Sequence, residues 1–160
     1  MSTPGAIVIV GCGGAAGDDA AGLAVIARLR AEGGLPPGVR LHAVTSGEQL
    51  LDLLDDAAAL IVVDAVASGA PPGTLHRLRW PSARLDGLRP GSTHQLGPAA
   101  ALALADALGM LPPEVVALGV ELDRATPAAG LGEAVAGALP ALADAVRAEA
   151  RRLAHATTGA

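Results

Sequence analysis

The residues able to do chemistry in this chain fall where strands give way to loops. Ligands of open α/β sheets bind outside the carboxyl ends of the strands. The segments to inspect are therefore those just past Val10, Thr45, Val63 and Val120, together with nearby helix starts. They supply Gly11–Asp19, Ser46–Glu48, Asp64, His94 and Glu121. Asp64 directly follows the apolar run Leu60-Ile61-Val62-Val63. A carboxylate at the tip of a buried strand is costly to desolvate unless it is paired, hydrogen-bonded or bound to a cation. Its plainer role is to cap the turn at Ala65–Ser68. Asp19, Asp64 and His94 together form an O, O, N donor set drawn from three segments, a combination suited to nickel or zinc. His94 is expected in the first turn of its helix, where the positive dipole end favours the neutral, ligating imidazole. A solvated histidine at a helix start is the alternative, and spacing alone does not reject it. His42, His76 and His155 fall on strand faces or in the tail and receive no role.

The glycine-rich turn Gly11-Cys12-Gly13-Gly14-Ala15-Ala16 also matches the dinucleotide pattern G-x-G-x-x-A. Two features oppose that reading. Asp18 and Asp19 stand at the helix start, where a pyrophosphate needs bare N–H groups, and the second strand ends in Val44-Thr45-Ser46 with no acid for a ribose. Carboxylates there fit a cation better. Cys12, beside a helix start, could be a thiol nucleophile, but no histidine is tied to it by sequence, so it reads as a buried or loop thiol.

Composition narrows the rest. All 11 basic residues are arginine, which excludes a phosphate-loop lysine or a Schiff base. A single cysteine excludes an intrachain disulfide, a multi-cysteine zinc site and an iron–sulfur cluster. Phe and Tyr are absent, so bases cannot stack on an aromatic sheet, and the net charge of −5 argues against nucleic acid. Mean hydropathy is +0.46, yet no apolar run approaches the ~20 residues of a bilayer span. No basic residue precedes the first apolar run, unlike a signal peptide. These features predict a reduced, soluble, cytoplasmic protein with no membrane and no nucleic-acid partner.

The elements that must position these residues are legible from periodicity. Ala6–Val10 and Leu60–Val63 are continuous apolar runs, the mark of strands buried on both faces. Val39–Thr45 alternates, Thr74–Trp80 reads as an edge strand, and Val115–Val120 is the last strand. Between them, Asp18 is expected to cap a helix through Leu29, and a short helix runs from Glu48 to about Asp55. Ser92 and Gln95 have capping-box spacing for a helix to Leu108. The tail from Ala128 to about Ala154 is helical, with Pro140 expected to kink or divide it. The alternation predicts one domain over residues 1–160: a three-layer α/β fold with a twisted, mostly parallel five-stranded sheet between helices.

Four segments, in order, resemble the sequence blocks of one known family. Gly13-Gly14-Ala15-Ala16-Gly17-Asp18-Asp19-Ala20-Ala21-Gly22 resembles its opening G-N-x-x-x-x-D-[DE]-G-x-G block. Leu60-Ile61-Val62-Val63-Asp64-Ala65-Val66 with Pro72-Gly73-Thr74 is similar to its I-V-D-A strand followed by P-G. Ser92-Thr93-His94-Gln95-Leu96-Gly97 resembles S-[ST]-H-D-x-G, and Gly119-Val120-Glu121 resembles G-[IV]-[EQ]-P. The register holds over about residues 6 to 155, and the family these blocks resemble is that of the hydrogenase maturation endopeptidases. Gly14 stands where the family has Asn, the loop to Asp19 is one residue shorter, Gln95 replaces Asp and Leu122 replaces Pro.

The resemblance implies an endopeptidase that removes the C-terminal extension of a nickel-loaded [NiFe]-hydrogenase large-subunit precursor. It implies Asp19, Asp64 and His94 as catalytic and metal-contacting residues, the trio that the strand-end argument selects. It also implies nickel carried by the substrate, with no tightly bound cofactor of the enzyme's own. For hydrolysis, either the metal polarises the carbonyl with Asp19 or Asp64 as base toward water, or the trio only anchors nickel and water attacks a strained peptide. Two other functions remain at this stage: a non-catalytic nickel-site chaperone of the same precursor, and a dinucleotide-binding module on Gly11–Ala16.

Overall fold

A computed structural model describes residues 5–14, 17–82, 88, 96–124 and 130–159. Five strands form one sheet: β1 (Ala6–Cys12), β2 (Arg40–Val44), β3 (Ala57–Val66), β4 (Leu75–Arg79) and β5 (Glu114–Glu121), in the order β2-β1-β3-β5-β4. All neighbours pair in parallel except β4, which runs antiparallel to β5 at the edge. The helices are α1 (Ala21–Glu32), α2 (Gly47–Leu51), α3 (Pro98–Ala107) and α4 (Glu133–Thr158), and a 3-10 turn (Gly17–Ala20) precedes α1.

Alternation along each strand sends side chains to two cores. Ile7, Ile9, Ile61, Val63, Val116 and Leu118 pack with Val25, Ile26 and Leu29 of α1 and Leu142, Val146 and Leu153 of α4. Val8, Val10, Cys12, Leu60 and Val62 face Leu50 of α2 and Leu102 of α3. The three-layer α/β fold expected from the sequence is what the chain forms. Without Phe or Tyr, the cores are filled by aliphatics, each fully buried Leu or Ile stabilising by about 2 kcal/mol.

Five local expectations are corrected. The strand holding Asp64 does not stop there: β3 continues to Val66, because Ala65 and Val66 keep pairing with Val120 and Glu121. Asp18 does not cap α1, whose N-cap is Ala20 with no side-chain bond. The Ser92 and Gln95 expected to cap α3 lie outside the described residues, and α3 does not run unbroken from them. Leu96 and Gly97 are non-helical, Gly97 is the N-cap, and Pro98 opens the helix with the φ it already prefers. Pro140 does not divide the tail; α4 is a single helix of 26 residues. Pro140 lies on its exposed face, where water can satisfy the carbonyl one turn back. The second helix is also shorter than expected, ending at Leu51.

Candidate active site

The first wall of the site is the turn between β1 and α1, and glycines permit its tight course. A Cβ on Gly22 would lie 2.2 Å from the Cys12 carbonyl oxygen and 2.5 Å from that of Val63. A Cβ on Gly11 would lie 2.3 Å from the Gly22 oxygen. The start of α1 therefore lies directly against the ends of β1 and β3. Gly22 and Gly11, the latter the first glycine of the dinucleotide-like pattern, serve this crossing of strand and helix. The 3-10 turn carries two carboxylates with opposite surroundings. Asp18 is buried and accepts the Asp123 N–H (2.8 Å) and the Gly132 N–H (2.7 Å), fastening the turn to the loop after β5. Asp19 is exposed. Its carbonyl accepts the Gly14 N–H (3.0 Å), so its backbone is tied to the end of β1 while its side chain faces outward.

Asp64 sits on the neighbouring strand. The last β1–β3 pair is Gly11 with Val63, so Asp64 is the first β3 residue past that ladder. It is fully buried, and its Oδ1 accepts the Ala65 N–H at 2.8 Å. Its position along the strand places it on the α2/α3 side, with Val62 and Leu60. Asp19 and Asp64 thus come from separate segments to the same end of the sheet, as the strand-end argument expects.

His94, the third expected member, lies outside the described residues. Leu96, two residues on, is held from both sides: its carbonyl accepts the Gly47 N–H (2.7 Å) and its N–H donates to Glu48 (3.0 Å). That Leu96 bond is the main reason the Glu48 carboxyl lies below the usual range. Among the described residues, no three His, Cys, Asp or Glu side chains gather closely enough to hold an ion. Cys12 is buried at the end of β1.

One pair carries more than its sequence suggested. His76, which has no role in the sequence reading, is nearly buried and meets Glu121 at 2.9 Å. Glu121 also accepts the Ser68 N–H (2.8 Å), the Ser68 hydroxyl (2.8 Å) and the Gly69 N–H (2.9 Å). Burial pushes the Glu121 carboxyl up, but the Ser68, Gly69 and His76 bonds outweigh it and hold the group below its ordinary value. The available signal was alternation in β4, which puts His76 on the same face as buried Leu78, opposite the end of β5.

Comparisons with known proteins agree with this architecture. The sequence model of the hydrogenase maturation protease family matches residues 24–149. The chain is 35% identical over 151 residues to the hydrogenase expression/formation protein HupD of Rhodobacter capsulatus, covering 90% of this chain and 71% of that one. Its fold is similar to the hydrogenase maturating endopeptidase HybD of E. coli, with a TM-score of 0.75 and 27% identity over 92% of this chain and 93% of the other. An Escherichia coli endopeptidase solved in solution gives 0.78 and 28% over the same shares.

Proposed function

This chain belongs to the hydrogenase maturation protease family, and on that premise we propose that it removes the C-terminal extension of a nickel-loaded [NiFe]-hydrogenase large-subunit precursor. The chain is a protease, hence a hydrolase; the nickel, the trio and the individual roles are the proposal. Nickel arrives as part of the substrate, and the enzyme needs no tightly bound cofactor of its own. Asp19, Asp64 and His94 are the residues assigned to it.

The observation that carries the reading is the meeting of two family blocks at one end of the sheet. Asp19 is pinned through its backbone and through Asp18, and its side chain is exposed to an incoming protein substrate. Asp64 is a buried carboxylate whose orientation is fixed by the Ala65 N–H. An oxygen pair with an imidazole leaves coordination positions open for the substrate's own ligands. Holding the centre there brings the adjoining peptide bond to a fixed place, and that positioning accounts for much of a hydrolytic rate.

The reading is tested by incubating the protein with its precursor in nickel-loaded and nickel-free forms, followed by intact mass of the large subunit. The loaded precursor should lose a short C-terminal peptide and the nickel-free one should stay full length. A loaded precursor that binds but remains uncut would replace the protease reading with that of a chaperone.

A further inference from the structure

Glu121 closes β5 and is almost wholly buried, and it fastens an exposed loop by every group it has. One carboxylate oxygen accepts the Ser68 and Gly69 N–H groups; the other accepts the Ser68 hydroxyl and meets His76 Nε2. An ionised carboxylate only accepts, so that nitrogen carries a hydrogen. The backbone of Glu121 does the same at the far side of the loop. Its N–H donates to the Thr74 carbonyl (2.8 Å) and its carbonyl accepts the Gly73 N–H (2.8 Å). Both ends of the loop over residues 67–74 are therefore held by one residue.

This arrangement is an expensive way to obtain stability. Ser68 and Gly69 are exposed, so water could satisfy their N–H groups without any buried carboxylate. Burying Glu121 for that purpose carries a desolvation cost. What it gains is a single conformation for an exposed loop. That loop leaves β3 just after Asp64, and Asp64 pairs with Gly119, two positions before Glu121. Its outer side offers Pro71 and Pro72, which are exposed, and Gly69 at φ 90°, where a Cβ would meet nothing within 4 Å. An extended chain could lie against that backbone without meeting a long side chain.

We infer that Glu121 is a positioning residue which, with Ser68 and His76, stiffens the 67–74 loop into a preformed ledge beside Asp64 for the polypeptide tail of the substrate. This rests on the endopeptidase reading above. A ledge already in place spares the ordering cost of binding, so its loss should appear in KM before kcat.

The test combines amide hydrogen exchange at Ser68 and Gly69 with steady-state processing of the nickel-loaded precursor. In the wild type both amides should be protected despite their exposure. Glu121→Ala should exchange them at least about tenfold faster and raise KM by about tenfold or more, with kcat within about threefold. Glu121→Gln keeps an oxygen for both amides and should return KM to within about threefold of wild type. Ser68→Ala, an exposed change, should leave the melting temperature in place and raise KM about two- to fivefold; this holds the proposal to account if Glu121→Ala does not fold. A folded Glu121→Ala with wild-type KM, a wild-type KM in Ser68→Ala, or rapid exchange of the two amides in the wild type would overturn the ledge. None of these outcomes touches the endopeptidase reading, which fails separately if wild type leaves the loaded precursor uncut.

Discussion

The two ends of the sheet use carboxylates differently. At the carboxyl ends of the parallel strands, Asp18 and Glu121 are buried and accept backbone N–H groups: those of Asp123 and Gly132 for the first, those of Ser68 and Gly69 for the second. Toward the other end, carboxylates meet arginines. Glu149 takes Arg77 (2.9 Å) and Arg152 (2.6 Å), and Glu114 takes Arg79 (3.1 Å). The glycines divide by local packing instead: a Cβ on Gly5, near the strand starts, would lie 2.5 Å from the Asp56 carbonyl oxygen, while one on Gly69, in the loop after β3, would meet nothing within 4 Å. Gly22 has no room for a Cβ, whereas Gly38, at the rim of an open cavity of about 1120 Å³ between the starts of the strands and the end of α4, has nothing within 4 Å. Arginine pairs join elements but leave them adjustable; carboxylates clamped to loop amides fix loops in place. On the proposed function, the end that holds the reacting group is the end built the second way.

The largest contrast should come from the glycines. Gly22→Ala drives a methyl into two carbonyl oxygens and should destabilise by about 3 kcal/mol or more, read by urea melts. Gly38→Ala meets no atom and suffers only from its positive φ of 80°, about 1 kcal/mol. Equal costs would break the comparison. Next is Asp18→Ala, which strips two loop N–H groups of their acceptor and should cost about 2–4 kcal/mol, with Asp18→Asn recovering roughly half. Because Asp18 anchors the turn that presents Asp19, processing should fall with it.

The smallest effect separates the two kinds of carboxylate by salt and pH. Burial pushes the Glu149 carboxyl up, but Arg77 and Arg152 outweigh it and hold it low, as loop amides do for Glu121. A carboxyl lowered in the folded state contributes stability that is present above its unfolded value and is lost as pH falls through the folded one. Wild type should therefore lose stability on acidification below about pH 5, and Glu149→Gln and Glu121→Gln should each flatten that loss. At 0.5 M salt the Glu149→Gln difference should shrink, since charge pairs are screened, while that of Glu121→Gln persists. Identical salt responses would remove the distinction.

Much of this was legible in the sequence because the strands are short-range facts. The apolar runs at Ile7–Val10 and Leu60–Val63 announce strands buried on both faces, and the β-then-α alternation fixes a three-layer fold. That Asp19 and Asp64 both lie at the carboxyl end of the sheet follows from the same rule. What stayed hidden depends on distant partners. Asp18 looks like a helix cap, and only the fold brings Asp123 and Gly132 to it. His76 reads as one polar residue on an edge strand until β4 is laid against β5 and the His76 ring meets Glu121. The α3 start was misplaced because the Ser92–Gln95 spacing is a local signal, while Gly97-Pro98 and the Leu96 clamp to Gly47 and Glu48 decide where the helix begins.

We propose that Asp19, Asp64 and His94 act together on the substrate's nickel centre. The most direct test follows the intact mass of nickel-loaded precursor incubated with wild type, Asp19→Ala and His94→Ala. Asp19 is exposed, so its loss should leave the melting temperature nearly unchanged, and folding of each variant is checked by the same melt. Wild type should remove a short C-terminal peptide, while either variant, though folded, should leave the precursor at full length. Processing at the wild-type rate by folded His94→Ala or Asp19→Ala would contradict it.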